Sequence, residues 1–451
     1  MTLSSRYHRA LAASAFFTGL AGDVFRYAIG WAGWGVVVGL IVALCVVELV
    51  RHRMRLDPVP VMLVLFLGVC AASTAWSAYP ALTGLATVVT VAAVAVGLFV
   101  ASALDWTGVI TALADAGRAI LALSLLFELV VAVFVRQKVL PFFSLCDLSG
   151  DIPRACYWSR DLLFQGGRIQ GIQGNSNLLA IAALLALIAF AVQLAAGLVG
   201  RTVGVVWIAV AVLTLALTRS STVIVAGLAA AVVLAVVLVI RRTRGVGRTI
   251  AYAVSAGVVV LGVVGALVFR GPLLALLGKS SDLTNRGVIW SKVIELAQQR
   301  PVGGWGWITY WFPGVHPFDS DAFLIKGVRY SQAHDAWLDL WLQVGIVGLV
   351  LFATFALGLL IRSWLSAIDT RRGDETVGGD PALVGTAARS RRDAALAIAP
   401  LLFAVVLLVQ SLAESRILIE GEFMLLVVVA IATRSRDLRT FRWLRRGERG
   451  L

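Results

Sequence analysis

Four cationic or titratable side chains stand where hydrocarbon gives way to polar chain: Arg168, Arg219, Arg286 and His334. A planar guanidinium presents paired N–H donors that match phosphate oxygens, so Arg168, Arg219 and Arg286 together suit an anion whose charge grows as a bond breaks. Histidine titrates near neutrality and is the natural proton acceptor for an attacking hydroxyl, which singles out His334, with Arg286 as its catalytic companion. The other reading of His334 is positional, a ring that caps its helix or orients the anion. Around these lie candidates for holding the rest of a substrate: Asn175, Arg300, Gly304, Trp305, Trp307 and Glu414. Indole faces stack on apolar ring faces, and a Gly303 to Gly306 turn lets backbone approach a ligand closely, although a tight turn alone would also need those glycines. Trp337 and Trp341 fit an interfacial aromatic belt better. Glu414 and Arg416 read as walls of a cavity or as a local ion pair. Asp319 and Asp321 match a metal-holding Asp-x-Asp pattern, yet without further acidic ligands they read as a solvated turn. No His/Cys/Asp grouping has zinc spacing, so the expected chemistry needs neither metal nor cofactor.

The elements that position these residues follow from composition. The chain has 451 residues, 60% hydrophobic and only 14% charged, which excludes a soluble globular domain and implies an all-α polytopic membrane protein. At about 20 apolar residues per crossing, spans fall near 10–22, 27–50, 59–76, 80–104, 108–135, 175–199, 203–218, 221–240, 249–269, 336–361, 395–413 and 417–433, about twelve in all. The formal charge of +14 belongs to loops that meet anionic headgroups rather than to nucleic-acid binding. Basic clusters at Arg6 and Arg9, Arg51 to Arg55, Arg241 to Arg248, Arg362 to Arg392 and Arg434 to Arg449 all fall on one side of a twelve-span drawing. That side is expected to be cytoplasmic, with both termini. The short basic start lacks a cleavage site, so the first span is expected to stay. Trp76 to Pro80, residues 136–174, the turn at Arg219 to Ser221 and residues 270–335 then face outward. Arginines on the side that the rule depletes call for an anionic ligand, although long loops are translocated whatever their charge.

Within the large loop, Thr284 is placed to cap a short helix ending at Pro301, with Ile289, Trp290, Val293, Ile294 and Ala297 on one face. Asp369 to Asp393 reads as a flexible linker. Asp115 and Arg118, at i and i+3, read as a mutual pair. Cys45 and Cys70 lie in apolar runs and read as buried small hydrophobes. Cys146 and Cys156, ten residues apart in an outward loop, are either a disulfide or two free thiols.

The motifs Trp76 to Pro80, Arg168 to Asn177, Leu217 to Thr222, Arg286 with Arg300 to Gly306, and His334 with Gly345 to Gly348, in this order, resemble the O-antigen ligase/polymerase superfamily. The resemblance runs from about Trp76 to Glu422. It departs where the family often has Ser-Arg or His-Asn, since this chain has Thr218-Arg219 and His334-Asp335. It implies a glycosyltransferase-C-like fold and a bacterial cytoplasmic-membrane enzyme. That enzyme would transfer a glycan from undecaprenyl diphosphate to a glycan, lipid or cell-wall acceptor on the outer face. Arg168, Arg219 and Arg286 would hold the diphosphate and His334 would serve as base, giving inversion by direct attack. Residues 1–269 would carry nine spans, 270–335 the large outward loop, 336–433 the last three with a cytoplasmic loop at 362–394, and 434–451 a basic cytoplasmic tail. A lipid-linked glycan flippase or small-anion transporter is the alternative from another class. Such a protein should place its arginines near mid-membrane on broken helices, not at span ends.

Overall fold

The computed structural model describes residues 3–53, 57–144, 146, 152–268, 286–325, 328–368 and 391–447. Helices dominate: α1 (Leu3–Leu20), α2 (Gly22–Arg51), α3 (Val61–Ala72), α4 (Pro80–Ala103), α5 (Trp106–Val130), α6 (Ser176–Ala195), α7 (Arg201–Thr218), α8 (Ser221–Arg242), α9 (Val246–Val268), α10 (Arg286–Gln299), α11 (Ala336–Ile368), α12 (Ala399–Ser411) and α13 (Glu420–Gly447). Their starts have local causes. Pro80 occupies the first turn of α4, where its missing N–H costs nothing. Asp105 caps α5, accepting from the Gly108 N–H at 2.8 Å, and Asn175 caps α6, accepting from Asn177 N at 2.8 Å. One two-stranded hairpin, Leu324–Ile325 with Val328–Arg329, departs from the all-α expectation.

Among the described residues, eight helical segments are long and apolar enough to cross a bilayer: α2, α4, α5 extended to Val135, α6, α7, α8, α11, and Arg391–Ser411, which ends as α12. The other four expected spans coincide with α1, α3, α9 and α13. α3 is only 12 residues, and α1 spends part of its 18 residues on Arg6, His8 and Arg9, which is why length and hydropathy alone do not qualify them. The core is built around α6, α12 and the first half of α13, whose side chains are buried on nearly every face; α5 and α7 flank α6, α8 packs on α12, and α4 on α13.

Contacts sort the connections into two ends. At one end Arg241 donates to Ala367 O and Ala394 O, Arg392 to Thr107 and Arg434 to Val59 O. These contacts involve one arginine from each of three basic clusters. At the other end Trp76 donates to Gly303 O and Arg168 to Thr218 O. Cys146 and Cys156 are joined in a disulfide within the segment following α5. The Asp115 carboxylate meets Arg118 at 2.7 Å, as the i, i+3 spacing predicts. Thr284 and most of the Asp369 to Asp393 stretch lie outside the described residues.

Candidate active site

The chain leaves α12 at Ser411, makes a short turn and a single 3-10 turn at Arg416–Leu418, and enters α13. This turn carries Glu414 inward until it is 5% exposed. A carboxylate so buried must be paired and hydrogen-bonded, and three donors surround it. Its Oε2 lies 2.7 Å from His334 Nδ1. Its Oε1 accepts from Arg286 at 2.9 Å and from Asn177 Nδ2 at 3.1 Å. Burial alone would raise its pKa, but His334, Arg286 and Arg416 outweigh that and hold it at about 2. An ionised carboxylate only accepts, so in its neutral form the imidazole carries its one proton on Nδ1 and keeps the Nε2 lone pair free. Gln332 also approaches Nδ1, but at 3.4 Å, and the shorter Glu414 contact decides the tautomer.

Asn177 is the hub of the adjoining polar layer. Its Oδ1 accepts from Arg168 at 2.7 Å and from Ser220 at 2.9 Å, while Arg168 Nε also reaches Thr218 O at 3.0 Å. Burial and the like charge of Arg160 depress the pKa of Arg168, and Glu414 offsets this only in part, so an arriving anion would relieve the tension. Next along the chain, Arg219 ends α7 with φ +48°. It is exposed, and among the described residues no side chain pairs with it.

Two of these residues sit in the left-handed region that a side chain disfavours: Arg219, and His334 at φ +54°. Such strain costs about 1–2 kcal/mol each and persists only where neighbours impose it. At His334 the neighbours are identifiable. Asp339, buried in the first turn of α11, accepts from the Ala333 N–H at 3.0 Å and from Ser415, so one carboxylate fixes the residue before His334 and the residue after Glu414. Asp335 caps α11, accepting from Trp337 N and Leu338 N at 2.9 and 3.0 Å, and burial raises its pKa. From α10, Trp290 donates to Ala333 O at 3.0 Å. That helix buries Ile289, Val293, Leu296 and Ala297; of the expected face Trp290 and Ile294 are only half-buried, and Leu296 was not foreseen.

The structure thus brings together Arg168, Arg286, His334 and Glu414, with Arg219 between Thr218 and Ser220, which both touch this layer. It does not bring the Gly303 to Gly306 turn into the same cluster. Trp307 is 1% exposed and donates to Thr90 at 2.9 Å, and Trp305 is buried with its N–H on Leu296 O at 2.9 Å. Their faces pack inside the protein. Gly304 has φ +67°, and a Cβ there would come within 2.4 Å of the Gln343 backbone. The reason is a break in α11 at Gly345, where φ is +64°. The turn docks on this break, with Trp305 N and Gly306 N donating to Leu342 O and Gln343 O at 3.0 and 2.9 Å. Arg300 lies exposed over the Trp305 ring, 4.2 Å from its centroid. Asn175 spends its side chain capping α6. Arg416 pairs with Asp23 and Glu420 rather than with Glu414. Asp319 and Asp321 face different partners, His316 and Arg329, on the surface. Elsewhere His8, Glu48 and His52 bring their donor atoms within 4.8 Å of one another, where α1 meets the end of α2.

Asn177, Ser220 and Asp339 escaped the sequence reading. Asn177 stands two residues beyond the chosen Asn175, and only the helix register tells cap from hub. An acidic residue in the first turn of an otherwise apolar helix was the available signal for Asp339.

The O-antigen ligase family model matches residues 204–353, from the first turn of α7 into the middle of α11, and so takes in Arg219, Arg286 and His334. No curated protein matches the chain. The resemblance read from the motifs is to this superfamily, and the coarse activity is that of an O-antigen ligase/polymerase-type membrane glycosyltransferase.

Proposed function

With the O-antigen ligase/polymerase superfamily as the premise, we propose that this chain is an inverting, metal-independent glycosyltransferase. It takes a glycan from undecaprenyl diphosphate at the outer face of a bacterial cytoplasmic membrane and joins it to a glycan, lipid or cell-wall acceptor. The observation that carries this reading is the 2.7 Å contact between His334 Nδ1 and Glu414, which leaves Nε2 as a free base beside an arginine cluster. The acceptor hydroxyl gives its proton to His334 Nε2 while its oxygen attacks the anomeric carbon. The bond from that carbon to the diphosphate oxygen breaks, and its electron pair leaves with the diphosphate. Arg219, unpaired among the described residues, and the outer N–H groups of Arg168 and Arg286 meet the growing charge. Glu414 stabilises the imidazolium that forms and fixes its ring, as the carboxylate does in a nucleophile–His–acid triad.

Twelve crossings with both termini inside remain the topology that best fits the basic end. The disulfide, a bond of oxidising compartments, favours an outward placement of the opposite end. The arginines stand at helix ends rather than mid-span, which supports an enzyme over a transporter. The test is glycan transfer by purified protein from polyprenyl-diphosphate oligosaccharide, with product length separating polymerase from ligase. Transport of labelled lipid across liposomes without any transfer would overturn the reading.

A further inference from the structure

Far from the Glu414 cluster, α1 and α2 place three metal-type ligands face to face. Glu48 lies in the last turn of α2 and His52 caps that helix four residues on, and His8 reaches them from α1. Glu48 Oε2 is 2.8 Å from His8 Nε2 and 3.2 Å from His52 Nε2, and the three donor atoms all lie within 4.8 Å of one another. A tetrahedral ion with bonds of about 2.0–2.1 Å separates its ligand atoms by roughly 3.3 Å. Shifts of well under an ångström would therefore open the group around an ion.

We propose that His8, Glu48 and His52 bind a zinc ion that clamps α1 to α2. Two imidazoles and one carboxylate form a three-ligand zinc set, and the fourth position is left for water. His8 and Glu48 are buried, whereas the His52 side chain is 51% exposed, so the ion has a route in from solvent. On binding, each imidazole gives its Nε2 lone pair to the ion and carries its one proton on Nδ1. The ion's charge is tolerable because Arg51, 3.5 Å from the other Glu48 oxygen, is 72% exposed and can swing into water. His8 also packs edge-on to Phe99 of α4, which holds its ring in the ligating orientation. Sequence spacing conceals the group, since 40 residues separate His8 from Glu48. The clamp is a structural site, independent of the transfer reaction and of the reading given for it.

The test uses full-length protein purified in detergent, stripped with a chelator and passed through a desalting column. Zinc is then added in slight excess, unbound metal is removed, and metal content is measured by mass spectrometry alongside the thermal midpoint. Cobalt(II) titration with visible absorption reports tetrahedral geometry. We expect one zinc per chain, a higher thermal midpoint with zinc, and intense cobalt bands. His52→Ala should weaken zinc binding at least tenfold while folding normally, because that side chain is largely solvated. His316→Ala, an exposed histidine elsewhere, should bind as wild type does. Absence of stoichiometric zinc in the wild type, or equal zinc in His52→Ala, would overturn the proposal and leave a hydrogen-bonded triad.

Discussion

Glu414→Gln alters one atom and one charge, and its consequence can be worked from the geometry. The carboxylate serves three donors, on His334, Arg286 and Asn177. A carboxamide has a single acceptor oxygen. With that oxygen kept on Arg286 and Asn177, its NH2 points at His334 Nδ1 and imposes the tautomer whose Nε2 is already protonated, which cannot take the acceptor's proton. Turned the other way, the NH2 confronts two donors and the Arg286 pairing is lost. Either way the oriented base disappears, which is worth roughly 10²–10⁴ in rate, or about 3–5 kcal/mol of barrier. Folding should suffer less, about 1–3 kcal/mol for the lost charged hydrogen bonds. The assay is the initial rate of glycan transfer, measured on protein whose melting curve remains cooperative. His334→Ala should cost a similar factor, and the double variant little more than either alone, because the two act as one unit. A Glu414→Gln protein within threefold of the wild-type rate, or a double variant whose losses multiply, would refute the dyad.

Arg219→Ala removes an exposed cation, unpaired among the described residues, so the melting temperature should stay put while transfer falls about 10²–10³-fold; a fall in stability without a fall in rate would contradict its role. Gly304→Ala drives a Cβ into the Gln343 backbone at φ +67° and should destabilise the fold by about 1–3 kcal/mol, read as a lowered melting temperature, with Gly303→Ala the milder comparison. For pH, the Glu414 pKa falls from 4.5 to about 2 on folding. A depressed carboxyl pKa contributes stability that is complete above 4.5 and is lost as pH drops toward 2, about 3 kcal/mol in total. Melting temperatures of wild type and Glu414→Gln, measured across pH, should therefore differ most above pH 4.5 and converge toward pH 2; a difference that does not change with pH would contradict this.

How much of this was legible in the sequence depends on the range of the interaction. Runs of Val, Ala and Leu announce helices by composition, and each expected span is a helix. The count of crossings is less legible because α1 mixes charges into a short apolar run and α3 is shorter than a bilayer. Arg168, Arg286 and His334 stood out as charges at the ends of hydrocarbon, which is costly without a purpose. Their pairing did not stand out, because Glu414 is 80 residues from His334, 128 from Arg286 and 237 from Asn177. Local pattern carries no trace of such contacts. The tryptophans misled for a related reason: an indole beside glycines fits a sugar platform and an interior anchor equally well, and only the break at Gly345 shows where Trp305 and Trp307 point. His8 and Glu48 were hidden in the same way, each unremarked on its own helix.

The most direct test of the central claim is glycan transfer by purified protein in nanodiscs with EDTA present, given polyprenyl-diphosphate-linked oligosaccharide and host membrane acceptor, comparing wild type with His334→Ala and Arg286→Ala. The account predicts longer or transferred glycan from the wild type and folded but inactive variants. Transfer by the variants at the wild-type rate, or none by the wild type, would contradict it.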